Sequence, residues 1–533
     1  MSQQAAAATH AQGAERRREA PGGRGASALL LASVFVIAVC GLIYELLAGT
    51  VSSYLLGSSV MQFSLVIGLF LTAMGLGSFL SRLLTDEDRL LPTFLLVEIL
   101  VGLVGGCSAL VLFVAFALVG SYVPLLVALC LLIGTLVGLE IPLLVRILRG
   151  VASLRAALGN VLALDYLGAL VASLLFPLLL VPRLGLVRTS FLFGLLNVGV
   201  ALLGIHYFRA RIRSAGSLRL LALATATALA AGLITAGRTT SLLEDVLYDD
   251  EVIFAKTTPF QRLVITRWRG DVRLFIDGNI QFSSADEFRY HEALVHPAMG
   301  LVAGPRRVLL LGAGDGLAAR EVLKHRGVER VDLVDLDPEM TRIFSTVPLL
   351  VELNRGALRD RRVHVHNLDA QKYLERCRRR YDVIIVDLPD PNNESLGRLY
   401  TRSFYRLAAK TLSPGGVMVT QATSSFYAPQ SFWCIANTLA SVTLSSGGGR
   451  LHTLPYHANV PSFGQWGFVL AGVRPLRPGR IRLDVPTRFL TPALLPALFV
   501  FPKDIAHRDT PVNRLDDLVL VRLYERGYKH YNR

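Results

Sequence analysis

Residues 27–236 run for long stretches almost without charge, whereas residues 240–533 have the mixed composition of an ordinary globular protein. That split constrains the fold more than any motif. A helix needs roughly 20 apolar residues to cross the hydrocarbon core of a bilayer. Seven segments qualify, near 27–49, 59–81, 91–118, 122–145, 159–182, 187–208 and 217–236. Residues 1–26, rich in Ala, Gly, Arg and Gln, read as a disordered basic tail. The first apolar segment is too long for a signal-peptide core, and more follow it. The first half is therefore expected to be a multi-pass helical membrane domain in a cell membrane, with the lipid bilayer as its partner.

The chain carries a formal charge of +15. Many of its arginines sit between apolar segments: Arg146, Arg149, Arg155, Arg209, Arg211, Arg213 and Arg219. They read as topology signals and not as a nucleic-acid surface. With simple alternation, these clusters and the N-terminal tail share one side, which makes the N-terminus cytoplasmic. Seven crossings would then put the second half outside. The preferred resolution keeps the second half cytoplasmic and lets one segment fail to cross, either 217–236 or the segment bearing Asp165. Glu45, Glu98, Glu140 and Asp165 lie within the apolar half. They are either structural, at helix ends or in pairs such as Glu140 near Arg146, or a site or path for a cationic molecule such as a polyamine. The five cysteines form no C-x-x-C pair, and His364 and His366 alternate on a strand with no further metal ligands nearby, so no metal site is expected.

After residue 240 the pattern becomes β and then α/β. The run Leu274–Phe282 alternates around Asp277-Gly278-Asn279, a hairpin signal, and predicts a small β subdomain over 240–290. Short apolar strands then alternate with helices: Arg307–Gly312, Arg330–Asp335, Val363–His366, Tyr381–Val386 and Gly416–Gln421. This predicts a buried parallel sheet of the methyltransferase-like Rossmann type over 291–480, followed by an extension, 481–533, without evident chemistry.

The first strand runs into Gly312-Ala313-Gly314-Asp315-Gly316 and a helix. Glycines let such a turn approach a ligand closely. The second strand ends in Asp335-Leu336-Asp337, where an acid suits a ribose diol. Asp369-Ala370 follows the third strand, where a carboxylate can accept from an adenine amino group. Together these describe an adenosyl site. Asp387 and Asp390 close the fourth strand, at the mouth of that site.

These residues resemble the spermidine synthases, or polyamine aminopropyltransferases, over roughly 250–470. The resemblance rests on Thr257-Thr258-Pro259-Phe260-Gln261, Asp286-Glu287-Phe288-Arg289-Tyr290-His291-Glu292, the glycine turn, Asp387-x-x-Asp390-Pro391, and Leu399-Tyr400-Thr401-x-x-Phe404-Tyr405. The apolar half is similar to that of a membrane-bound branch. The resemblance implies transfer of an aminopropyl group from decarboxylated S-adenosylmethionine, a co-substrate and not a cofactor, to an amine such as putrescine. It implies that Gln261, Asp335, Asp369 and Ala370 hold the nucleoside beside Gly312 and Gly314. It further implies that Tyr290, His291 and Asp315 surround the aminopropyl arm and the amine, that Asp387 accepts the proton, and that Asp390 holds the amine. Asp315 would repel a donor that kept its carboxylate and attract the ammonium of the decarboxylated one.

The chain departs from the family at Leu388-Pro389, at Glu394, where no adenine contact is carried over, and before Pro461. A methyltransferase on a membrane scaffold, or a transporter with a polyamine-sensing domain, stands as the competing reading. A homo-oligomer is left open.

Overall fold

The computed structural model describes residues 23–56, 59–118, 122–148, 154–248, 250–443 and 449–529. The basic tail lies outside these residues except for its end, since residues 23–26 already belong to the first helix. The chain divides into two compact units, Met1–Asp249 and Asp250–Arg533.

Among its described residues the first unit is all helical: α1 (Gly23–Leu56), α2 (Ser59–Leu80), α3 (Leu90–Leu118), α4 (Tyr122–Leu148), α5 (Leu154–Leu175), α6 (Val181–Phe208) and α7 (Ala215–Tyr248). Six apolar stretches among the described residues are long enough to cross a membrane, not seven, because two expected segments join into one run, Ala157–Arg211. Its 55 residues would span about 80 Å as one straight helix, far more than a hydrocarbon core. The run is interrupted by a π-helical turn at Phe176–Leu180 and by Gly185, whose φ of 74° and ψ of 174° are not helical. Small residues set the helix spacing. A Cβ on Gly102 would meet the Gly194 carbonyl at 2.8 Å, and one on Gly138 would meet the Met74 carbonyl at 2.2 Å. Such close backbone approach is how helices associate where no hydrophobic force drives them together. Arg146 is not paired with Glu140; its guanidinium donates to the carbonyls of Ser81 and Leu84.

The second unit begins with a four-stranded antiparallel meander, β1 (Glu251–Thr257), β2 (Arg262–Trp268), β3 (Asp271–Ile276) and β4 (Asn279–Ser283). Asp277 and Gly278 both take positive φ, 48° and 78°, in the two-residue turn between β3 and β4. That matches the right-handed twist of the flanking strands.

Helix α8 (Glu287–Leu301) leads into the α/β domain. Its elements are β5 (Arg307–Gly312), α9 (Leu317–Leu323), β6 (Arg330–Asp335), α10 (Pro338–Thr346), α11 (Pro348–Leu353), β7 (Val363–Asn367), α12 (Ala370–Arg376) and β8 (Tyr381–Asp387). Then come α13 (Glu394–Gly397), α14 (Arg402–Lys410), β9 (Leu412–Ser424), α15 (Pro429–Ala440), β10 (His452–Val460), β11 (Gly464–Gly472) and α16 (Val519–Tyr528). The seven-stranded sheet has the order β10-β11-β9-β8-β5-β6-β7. Strands β9, β8, β5, β6 and β7 are parallel, and the β10–β11 hairpin adds antiparallel to β9. Val308 to Leu311 of β5 are fully buried, as a central strand covered on both faces requires. The order reverses beside β5, which pairs with β8 on one side and β6 on the other. Open α/β sheets bind ligands at such a switch point, outside the carboxyl ends of the strands.

Residues 481–529 pack within this same unit. Glu292, fully buried on α8, accepts from the backbone N–H groups of Arg488, Phe489 and Leu490. Asn513, also fully buried, donates to the Gly397 carbonyl and accepts from the Leu520 N–H. These bonds fix the approach of α16 to the domain.

Candidate active site

The glycine turn after β5 is locked against β8. A Cβ on Gly312 would lie 2.0 Å from the Asp387 carbonyl oxygen, and its φ is 85°, so no other residue fits. A Cβ on Gly314 would meet the Asp335 carboxylate at 2.4 Å. The Gly314 N–H donates to that carboxylate over 3.0 Å, and the Asp337 N–H donates to its other oxygen over 2.9 Å. Burial pushes the Asp335 carboxyl up to about 7 against these two donors.

The meander reaches the same strand ends through its β1–β2 turn. Thr258 and Gln261 both donate to Asp337, over 2.8 and 3.0 Å. Gln261 therefore stands beside the acid after Asp335, an arrangement its position in the sequence does not announce. Asp369 caps α12 through the Lys372 N–H and forms an ion pair with Arg398. Partial burial works against ionisation there, but Arg398 holds the carboxyl below its ordinary range. Ala370 is buried behind it.

Nearly every residue of the 286–292 segment has a separate task. Asp286 accepts from the Ser462 N–H and hydroxyl, tying α8 to the β10–β11 turn. Arg289 donates to the Asn459 carbonyl. Glu287 receives two bonds from Arg320, at 2.8 and 2.9 Å, and meets His291 Nδ1 at 2.8 Å. Burial alone would discharge His291, but Glu287 overcomes it and pushes the imidazole up to about 9, with Asp315 and Asp387 adding to the effect. A buried imidazolium thus faces both carboxylates. Tyr290 donates to Asp387 over 2.6 Å and is walled by Phe463, Trp466 and Phe468.

His291 carries a stability prediction. Its folded pKa lies above the ordinary value of about 6.5, so its contribution is fully present below that pH and disappears as pH rises through about 9. Urea unfolding of the full chain should show the second unit losing stability over that window. His291→Gln should flatten the dependence; an unchanged slope in the variant would refute the assignment.

Asp315, Asp387 and Asp390 complete the mouth. Asp315 accepts from the Leu317 N–H over 2.9 Å, and burial raises its pKa against the pull of His291. Burial also pushes Asp387 up to about 6, opposed by His291 and by the Tyr290 hydrogen bond. Asp390 is likewise pushed up to about 6 by burial, opposed by Tyr524, Gln421 and Thr423. Gln421 lies 3.3 Å from one Asp390 oxygen, and Thr423 donates to the other over 3.1 Å. The loop between the two acids is held by its backbone: Tyr400 donates to the Leu388 and Pro389 carbonyls, and Gln421 to the Leu388 carbonyl.

The matches with known proteins fall on this architecture. The spermine/spermidine synthase domain matches residues 287–474. Polyamine aminopropyltransferase 2 of Ralstonia nicotianae is 50% identical over 514 residues, covering 94% of this chain and 98% of that protein. The chain belongs to the polyamine aminopropyltransferase family. A polyamine aminopropyltransferase of Leptospira interrogans is 46% identical over 501 residues, covering 94% of this chain and 98% of its own. One from Mycobacterium tuberculosis is 38% identical over 524 residues, covering 94% and 96%. Because these alignments span nearly the whole chain, the apolar half is shared with the relatives too. The methyltransferase and the non-catalytic transporter readings give way to this membership.

Within the aminopropyltransferase, sequence reasoning missed Tyr524 and Tyr528. Both come from α16, on the segment read as having no chemistry. Tyr524 acts on Asp390 and favours its ionised form, and Tyr528 lies 3.5 Å from the Thr423 hydroxyl, with the two tyrosine rings 4.6 Å apart. Removing the Tyr524 hydroxyl takes away an interaction that favours the ionised carboxylate. Tyr524→Phe should therefore move the acid limb of kcat/KM for the amine to higher pH. A pH profile superimposable on the wild type would exclude this contact from the working enzyme.

Proposed function

We propose that this aminopropyltransferase moves the aminopropyl group of decarboxylated S-adenosylmethionine onto putrescine or a similar amine, giving spermidine and methylthioadenosine. The observation that carries the reading is the pair Asp387 and Asp390 at the end of β8. Both are half-buried at the carboxyl end of the sheet, where Tyr290 donates to Asp387 and the half-buried Asp315 acts on it electrostatically. A polyamine is multiply cationic, and such a group of acids suits it.

The acceptor amine is cationic in water, and only its neutral form has a lone pair to attack with. In this reading Asp390 holds the amine and Asp387 takes its proton. The nitrogen then displaces sulfur at carbon: a C–N bond forms, the C–S bond breaks, and the sulfonium leaves as a neutral thioether with the bonding pair. No acid is needed at the leaving group. Gln261, Asp335, Asp369 and Ala370 hold the nucleoside at the glycine turn of Gly312 and Gly314. Tyr290, His291 and Asp315 flank the aminopropyl arm and the amine. The donor is consumed as a co-substrate, and no further cofactor enters the reaction.

In this reading the apolar first unit makes the enzyme a multi-pass protein of a cell membrane, with the second unit on the cytoplasmic side where its nucleoside donor is made; the long apolar helices support it. The arginine clusters between the apolar runs support a cytoplasmic N-terminus, and a single passage for Ala157–Arg211 would return the second unit to the same side. Labelling of single engineered cysteines from each side of intact cells tests it; labelling of the second unit from outside would reverse the orientation. For the reaction, purified full chain is incubated with the decarboxylated nucleoside and a panel of amines. Methylthioadenosine release that requires an added diamine supports the reading. Adenosylhomocysteine formed from S-adenosylmethionine would sink it.

A further inference from the structure

The helical unit contains an anomaly that aminopropyl transfer leaves unused. Ten buried side-chain polar atoms among the described residues lack a hydrogen-bond partner. Seven of them belong to four residues: one from Tyr44 and two each from Glu98, Glu140 and Asn197. All four are at most 1% exposed. They come from four different helices, α1, α3, α4 and α6.

These groups share one place. The Glu98 and Glu140 carboxyl groups interact with each other. The Tyr44 ring, on α1, lies against Gly105, on the same face of α3 as Glu98 and Gly102: a Cβ on Gly105 would meet it at 2.6 Å. Asn197 packs against Gly102, one helical turn along α3 from Glu98. Neither carboxylate has a salt-bridge partner among the described residues, since Arg146 is turned to Ser81 and Leu84. Asp165, half-buried on α5, acts electrostatically on Glu140 and extends the acids toward the outside of the bundle.

Buried polar groups in native proteins are almost always satisfied, and a cluster that is not calls for a missing partner. Two carboxyl groups together in a low-dielectric interior either share protons or hold a cation, and the unpartnered Tyr44 and Asn197 groups beside them favour the cation. We propose that the helical unit holds a cation site of its own at Glu98, Glu140, Tyr44 and Asn197, and that its ligand is a protonated primary amine. An ammonium group offers three N–H donors, and the cluster offers acceptors in two carboxylates, an amide carbonyl and a phenol oxygen, with the Tyr44 ring beside them. The inference rests on the polyamine chemistry of the second unit for its choice of amine over a metal ion.

The test is equilibrium binding of radiolabelled putrescine to the full chain in lipid nanodiscs. Glu98→Gln/Glu140→Gln should remove one equivalent of bound amine per chain while aminopropyl transfer in detergent persists. Glu98→Asp and Tyr44→Phe, which keep the packing, should weaken that equivalent at least about tenfold and secure the result if the double variant does not fold. Binding unchanged across these variants would overturn the proposal, as would a wild type that exchanges only protons there. Absent transfer with the extra equivalent present would instead count against the proposed reaction and leave this site standing.

Discussion

Asp387→Asn should lower kcat by about 10²–10⁴-fold, the range for loss of a positioned general base, and change the KM for the amine far less. An amide of the same shape can still receive the Tyr290 bond but cannot take up a proton. Asp390→Asn should do the reverse, chiefly raising the amine's KM. Steady-state kinetics on both variants separate the roles, and equal losses in both parameters for both would merge them. The wild type should lose kcat/KM as pH falls through about 6, where both carboxyls take up protons. His291 stays cationic up to about 9 and keeps a positive charge facing Asp387 and Asp315 throughout that range.

Asp315→Asn should lower kcat/KM for the decarboxylated donor by roughly 2–5 kcal/mol, the usual cost of truncating one partner of a buried charge pair. The same substitution should narrow discrimination against S-adenosylmethionine, since the repulsion of its carboxylate is removed. Competition between the two nucleosides at saturating amine measures both effects. Unaltered selectivity would remove Asp315 from donor choice. Its half-buried carboxylate, bonded to the Leu317 N–H and drawn to His291, has little freedom to turn away.

Much of this site was legible because its signals are local. The strand Arg307–Gly312 was read with its observed bounds from a continuous apolar run, and the turn after it from glycine spacing. The Asp277-Gly278 hairpin followed from one dipeptide. The helical segments were visible from length alone, but Gly185 was not an obvious break in an apolar run, and joined helices changed the count. What stayed hidden depends on distant pairs. Tyr524 reaches back to Asp390 across more than a hundred residues, and nothing in the amphipathic α16 marks its tyrosine as different from a packing residue. Arg398 beside Asp369, and Gln261 on Asp337 instead of Asp335, are choices between neighbours that only the folded backbone makes. A pairing of Glu140 with Arg146, one of the structural possibilities, is not formed for the same reason, because helix α4 turns the arginine toward the carbonyls of Ser81 and Leu84.

The position of Tyr524 also bears on how the enzyme comes into being. A ribosome delivers β5, β8 and β9, with Asp315, Asp387 and Asp390, well before it delivers α16. The nucleoside end of the cleft can therefore take shape on the growing chain while the amine end is still missing a wall. A nascent aminopropyltransferase is in that sense half a catalyst, and its competence to choose an acceptor arrives with the last of its site-forming helices.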